Sequence, residues 1–339
     1  MEDKSTFSGK IDSIQLLRVV AALGVALYHI QFVYEASGLN LAFGVHLFFT
    51  ISAFLSMYTT QNKKKHYVGK RLIRIVPLYW IMTFATFIAA KALPGLMPST
   101  QADMKSLAFS MFFIPYSRDG LRAENMIRPL VGPAWTLNYE IFFMVIFAMA
   151  MLISYRYRGI ITVAILTIFL SLGRLLEINN AILQFWTAPY LADFIAGIGA
   201  FYILKYLNDK QIGRRGRICL AVMVIMAGAL MVWNGYPQPR WVINAALSLA
   251  MLVSSVLALR GVRIPSMLLR LGDTSFSFYL IHYYVIIIIA KVFGLQNANV
   301  KSFIGLALVF VVSEILADIS YALIEKRLTK TLTKVLFRE

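Results

Sequence analysis

The chain is short of charge, short of acid and almost without cysteine. Only 14% of its 339 residues are charged, against about 25% in an ordinary soluble domain. Hydrophobic residues make up 59% and the mean hydropathy is +0.71, more apolar surface than a water-soluble fold can hide. This excludes a soluble enzyme, a disulfide scaffold and a disordered tail. The lone cysteine, Cys219, rules out an intramolecular disulfide and argues against a cysteine-built metal site, so no metal is expected. Its neighbours, CLAVMVIMAG, are apolar, and it reads as a buried thiol without a chemical role. Acids are outnumbered, 16 against 33 Lys and Arg, for a net charge of +17. Nucleic-acid binders share such a balance but are polar, so no nucleic-acid partner is expected. Heptads, low-complexity tracts and internal repeats are also missing, which leaves an inverted-repeat transporter without support.

What the chain does have is long apolar runs. A bilayer core of about 30 Å needs about 20 apolar residues per helix. Ten segments qualify: 14–34, 41–60, 75–93, 134–153, 159–177, 184–204, 217–233, 241–259, 275–293 and 302–324. The first is preceded by a charged tail and lacks a small-residue cleavage site after it, so it reads as a retained span rather than a signal peptide. The run 107–116 is too short to cross and ends at Pro115 and Tyr116, which suggests a re-entrant or interfacial piece. Counting Lys and Arg in alternate connections assigns 24 of the 33 to one side, the side that also carries both termini. By the positive-inside rule that side is cytoplasmic. The expected fold is all-α: a single membrane domain over residues 1–339, ten transmembrane helices with both termini cytoplasmic, and no separate soluble domain.

Ionisable residues inside a span are costly and mark candidate sites. Arg18 and His29 lie eleven residues apart on the first span, within about 20° of three full turns, so they share a face about 16 Å apart along the axis. A snorkelling arginine with an interfacial histidine would look the same. Arg71 and Arg74 in KRLIRIVP project together at i and i+3. Their planar donor forks suit phosphate, while ordinary positive-inside anchoring accounts for Lys63, Lys64 and Lys65. On the fourth span, PAWTLNYEIFF, Glu140 lies about one and a half turns inside, with Trp135 and Asn138 above it. A carboxylate there suits orienting a histidine or binding a sugar hydroxyl, and a tryptophan at that level is equally at home in the aromatic belt. Ser275, Tyr279 and His282 form a polar stripe on the ninth span, either a packing network or part of a site. Glu314, Asp318, Tyr321 and Glu325 share a face of the tenth and read as neutralising the cytoplasmic-side arginines. Asp193 stands mid-span after Pro189 with no partner assignable.

These pieces, in this order, resemble the acyltransferase-3 family of integral membrane acyltransferases, almost end to end. Arg18 and His29 in IQLLRVVAALGVALYHI match the family's Arg–ten residues–His signature. FGVHLFFTISAFL is similar to its "GVDLFFxxSGF", and KRLIRIVPLYW to its arginine-rich start of the third helix. PAWTLNYEIFF matches "WxLxxE", LGDTSFSFYLIH matches "SYSLYLxH", and IEKRLTK resembles the closing "xEKP". Three positions depart from the pattern. His46 stands where aspartate is usual, Ala53 replaces a glycine, and Lys326-Arg327 lacks the proline.

The resemblance implies an O-acyltransferase, similar to O-antigen and exopolysaccharide O-acetyltransferases, in the bacterial inner membrane. The acyl donor would be cytoplasmic acetyl-CoA or another acyl-CoA, its phosphates held by Arg18, Arg71 and Arg74. The acceptor would be a hydroxyl of a cell-surface or lipid-linked glycan arriving from outside past Trp135, Asn138, Ser275, Tyr279 and His282. His29 would take the hydroxyl proton or carry the acyl group as an acyl-histidine, with Glu140 orienting or neutralising the imidazole. The membrane domain would complete its reaction alone or hand the acyl group to an envelope-synthesis partner protein. The rival is a transporter or flippase of a lipid-linked glycan, which explains the polar faces but not the Arg18–His29 spacing or the paired arginines.

Overall fold

The computed structural model describes residues 11–33, 42–62, 66–95, 97, 100, 102–116, 129–208, 210–233, 241–293 and 300–337. Among these there is no strand. The helices are α1 (Asp12–Val33), α2 (Phe43–Thr59), α3 (Tyr67–Ala92), α4 (Met104–Met111), α5 (Trp135–Ile153), α6 (Arg158–Leu175) and α7 (Ala181–Trp186). They continue with α8 (Leu191–Tyr206), α9 (Arg214–Trp233), α10 (Trp241–Ala258), α11 (Ser266–Phe293), α12 (Val300–Ser320) and α13 (Lys326–Phe337). Among the described residues nine helical stretches are long and apolar enough to cross a membrane, and α2, at 17 residues, is a tenth, shorter apolar helix. Each corresponds to one of the ten apolar segments. The span read as 184–204 is two pieces, because Pro189 sits in the turn between α7 and α8 and cannot donate the bond that would continue the helix. Between α12 and α13 the chain takes a π-helical turn, Tyr321–Glu325.

The crossings alternate. We call the side where α1 begins the near side and the side where it ends the far side. The starts of α2, α5, α8 and α10 meet on the far side, where Tyr190 lies against His46, Trp135 and Trp241 at ring separations of 5.6, 5.1 and 5.0 Å. The opposite ends meet on the near side: Tyr155 donates to the Thr60 carbonyl at 2.6 Å, and Arg260 donates to the Asn208 carbonyl at 2.7 Å. Helix α13 returns to the near side, where Phe337 stacks on His66 at 4.4 Å, just before α3.

Helix association in lipid depends on close packing rather than on expulsion of water. Here a ladder of rings does much of it, with Phe194 of α8 between Phe49 of α2 at 4.7 Å and Phe143 of α5 at 4.5 Å. Small residues set the α2–α8 approach. A Cβ on Gly197 would collide with the Thr50 carbonyl and with the methyl of Ala53. Glycine at 197 is what admits alanine at 53.

Helix α4 does not cross. Its eight residues span about 12 Å, and Tyr79 and Trp80, half-way along α3, donate to the carbonyls of Ser110 and Met111, both at 2.9 Å. It lies beside the middle of α3, as a re-entrant segment would. Helix α9 fully buries only Ala227 and Met231, packs Leu220 and Val224 partly against the core, and turns most of its other side chains outward as a lipid-facing surface. Cys219 is on that surface and exposed, which corrects the expectation of a buried thiol. Apolar neighbours in sequence mark burial in water but mark lipid in a membrane.

Candidate active site

Between α1, α2, α3, α5 and α11 lies a cavity of about 560 Å³. Among the described residues Arg18, Lys70, Arg71 and Arg74 line it together with a single acid, Glu140, and with apolar side chains that include Phe48, Phe49 and Leu55. Helical period explains the convergence. Lys70, Arg71 and Arg74 fall within one stripe of α3, while Ser52 and Leu55 present one face of α2. The chamber therefore carries an excess of positive charge inside an otherwise apolar bundle.

The arginines are held by different partners. Arg71 donates to Ser56 Oγ at 2.6 Å and to Ser52 and Glu140, with the Tyr67 ring 5.8 Å from its guanidinium carbon. Ser52 Oγ in turn lies 2.9 and 2.8 Å from the two Glu140 oxygens. Arg18 donates to Gln15 Oε1 at 3.2 Å. Glu325, delivered by the π-helical turn and hydrogen-bonded by Ser277, is buried within electrostatic reach of both Arg74 and Arg18. Arg74 is the exposed member of the set.

His29 lies beyond the inner end of this chamber, three turns along α1 from Arg18. Its Nδ1 is 2.8 Å from His282 Nε2. His282 is fully buried, and its Nδ1 is 3.1 Å from the Phe278 carbonyl. A carbonyl only accepts, so the His282 proton sits on Nδ1 and its Nε2 accepts. The proton between the two rings therefore belongs to His29 Nδ1, which leaves the lone pair of a neutral His29 on Nε2. Tyr279 connects the pair to the chamber: it lines the cavity, its ring is 6.0 Å from that of His282, and its hydroxyl bonds to Thr136 at 2.7 Å and to the Pro133 carbonyl.

The sequence-based site residues thus separate into three groups. Arg18, Arg71, Arg74, Glu140, Ser275 and Tyr279 share the chamber. His29 and His282 form the pair at its end. Trp135 and Asn138 belong to neither: Trp135 lies 5.1 Å from Tyr190 at the start of α8, and Asn138 is buried. The Glu140 carboxylate is held by Arg71 and Ser52, while His29 meets His282. Five residues along a helix is about 500°, so Glu140 and Trp135 point different ways, and Glu140 shares its face with Thr136 and Leu137. Ser275 donates to the Gly272 carbonyl of its own helix at 2.8 Å. Of the tenth-span acids, Asp318 holds Arg270 with two bonds of 2.7 and 2.6 Å, Glu314 accepts from Thr274 at 2.7 Å, and Glu325 faces the chamber arginines.

Sequence reasoning missed Ser52, Ser56 and Tyr67 as the seat of Arg71, because hydroxyls in apolar spans carry little signal of their own. It left Asp193 without a partner. That partner is His46, whose Nδ1 is 2.8 Å from Asp193 Oδ2. The departure at position 46 was the available clue. Among the described residues no group of three His, Cys, Asp or Glu side chains is arranged to hold a metal ion.

The fold and the chamber define a class, a polytopic helical membrane protein with a cationic chamber inside its bundle. The chain belongs to the acyltransferase-3 family: the family's acyltransferase-domain model matches residues 11–321. It is an acyltransferase. It is 29% identical over 259 residues to the exopolysaccharide production protein ExoZ of Rhizobium meliloti, covering 74% of this chain and 78% of that protein. It is 25% identical over 348 aligned positions to the O-acetyltransferase OatA of Staphylococcus aureus, covering 93% of this chain. The match spans 56% of OatA's length. No solved structure matches the chain.

Proposed function

We propose that the protein is an O-acyltransferase, acetyl its preferred group, that moves the acyl group from cytoplasmic acyl-CoA to a hydroxyl of a cell-surface or lipid-linked polysaccharide. The near side is then cytoplasmic, and the membrane is the bacterial inner membrane. The observation that carries this reading is the cavity of about 560 Å³ with Arg18, Lys70, Arg71 and Arg74 in its wall and Tyr279 leading to the His29–His282 pair. The relatives' printed roles, O-acetyl transfer and exopolysaccharide production, agree with it.

In this reading Arg18 and Arg74 take the donor's phosphates, with charge-assisted bonds that a guanidinium fork makes well. Glu140 holds Arg71 in place, and the pantetheine arm lies along Phe48 and Phe49. The acceptor hydroxyl gives its proton to His29 Nε2 as its oxygen attacks the thioester carbonyl carbon. A carbon–oxygen bond forms, the carbon–sulfur bond breaks, and the departing thiolate takes the proton from the imidazolium. His282 acts as a positioning residue that fixes the His29 tautomer and ring.

The test uses the full chain in lipid nanodiscs with acetyl-labelled acetyl-CoA and alkali-treated envelope polysaccharide from the strain that carries the gene. Base-labile label should appear on the polysaccharide, and envelope ester should fall when the gene is deleted. Absence of both acetyl-CoA binding and label transfer would sink the proposal.

A further inference from the structure

A second polar cluster lies away from the chamber, in the first turns of four helices on the far side. Asn244 of α10 lies with its Nδ2 3.3 Å from His46 Nε2, and His46 Nδ1 lies 2.8 Å from Asp193 Oδ2. The exposures of His46, Asp193 and Asn244 are 6%, 1% and 9%. Asn244 donates to Nε2, so the His46 proton is on Nδ1 and goes to Asp193. One carboxylate oxygen is thereby fixed. The other, Asp193 Oδ1, is buried and has no hydrogen-bond partner among the described residues, and the same holds for Asn138 Oδ1.

Above these two acceptors stand aromatic rings. Trp135 precedes Asn138 by three positions on α5, and Tyr190 precedes Asp193 by three at the start of α8, so each acceptor lies about one turn below a ring. Trp135 and Tyr190 are 5.1 Å apart, and Trp241 is 5.0 Å from Tyr190 on its other side. All three rings are half-buried. Phe49, which lines the chamber, is also 6.0 Å from Tyr190, so one ring reaches both the chamber and the cluster.

Buried polar atoms in native proteins are nearly always paired, so two orphaned acceptors, each about one turn from an aromatic ring, call for a ligand rich in donors. An anion would meet a carboxylate and an amide oxygen. An uncharged polyhydroxylated ring supplies O–H donors to both and C–H faces to the aromatic rings, the usual make-up of a small-molecule site with a few placed polar groups. We propose that Trp135, Tyr190 and Trp241, with Asp193 and Asn138 beneath them, form a far-side subsite for a neutral saccharide unit, and that His46 and Asn244 are its positioning residues. The subsite deepens the transferase reading by naming where its acceptor docks, and only that assignment rests on the reading.

Isothermal titration of the full chain in nanodiscs with oligosaccharides from alkali-treated envelope polysaccharide tests this, alongside acetyl-CoA titration of the same samples. The wild type should bind the oligosaccharides saturably. Asp193→Asn should weaken that binding about tenfold, the loss expected of one charge-assisted hydrogen bond, with acetyl-CoA binding within twofold of wild type. Trp241→Leu, at a half-buried position that does not threaten folding, should weaken it by at least as much. No saturable binding to the wild type, or unchanged binding in both variants, overturns the subsite. So does competition by choline chloride alone, which would mark a cation cage. If oligosaccharide binding follows the expected pattern while no sample binds acetyl-CoA or transfers label, the transferase reading falls and the subsite stands.

Discussion

His29 and His282 are separated by 253 positions in the chain, yet their Nδ1 and Nε2 atoms lie 2.8 Å apart. The Phe278 carbonyl fixes the proton on the far nitrogen of His282, and that in turn fixes the proton on His29. In the proposed reaction this pairing would aim the His29 lone pair on Nε2 away from His282.

From this pairing, His29→Ala should lower acyl transfer by at least about a hundredfold, within the usual range for loss of a general base, and leave acetyl-CoA binding in place. His282→Leu should cost less than His29→Ala. His282→Gln, whose amide oxygen can accept the same proton, should recover part of the loss. Transfer rates measured across a pH series, beside acetyl-CoA affinity, check this. Equal activity of His282→Leu and wild type would remove His282 as the positioning residue.

Arg74 is exposed at the chamber while Arg71 is already engaged by Glu140. Arg74→Ala should therefore weaken acetyl-CoA binding by about 10- to 100-fold, the worth of one or two charge-assisted hydrogen bonds, and make it less salt-dependent. Arg74→Lys keeps the charge but not the fork and should fall between. Titration of acetyl-CoA at two ionic strengths reads both effects. Unchanged affinity in Arg74→Ala would refute phosphate binding there.

Glu140 and Arg71 are each about 85% buried, with side-chain exposures of 16% and 15%. Removing one partner of a buried ion pair costs about 3–5 kcal/mol, because the other charge is stranded. Glu140→Ala should lower the melting temperature in detergent clearly, whereas the double variant Glu140→Gln, Arg71→Met should melt closer to wild type. A Glu140→Ala protein that melts like wild type would show the pair to be dispensable for the fold.

Gly197→Ala should also destabilise, by about 1–3 kcal/mol for an overpacked contact, since its new methyl would meet both the Thr50 carbonyl and the Ala53 methyl. Adding Ala53→Gly should restore only part of the loss, because the carbonyl remains. Thermal unfolding of the three variants measures the coupling. Full restoration would assign the whole clash to the two methyls.

Much of the bundle was legible in the residues. All ten apolar segments are helices, the short run before Pro115 does not cross, and Arg18 with Arg71 and Arg74 meet in one cavity. Trp135 and Glu140 stand near one level of the span, yet a rotation of 100° per residue turns the first toward Tyr190 and the second toward Arg71. Asp193 and His46 were noticed separately, one as an unpaired acid and one as a departure from the family pattern.

The sequence by itself determined the crossings, their alternation and which residues share a helix face, because hydropathy and helical period are local properties of the chain. Tertiary structure alone decided who meets whom: Glu140 with Arg71, His29 with His282, Asp193 with His46. Those pairings join helices that are distant in the chain. Which faces meet, and at what depth, follows from side-chain packing at contacts such as Gly197 against Thr50 and Ala53, which no single segment encodes.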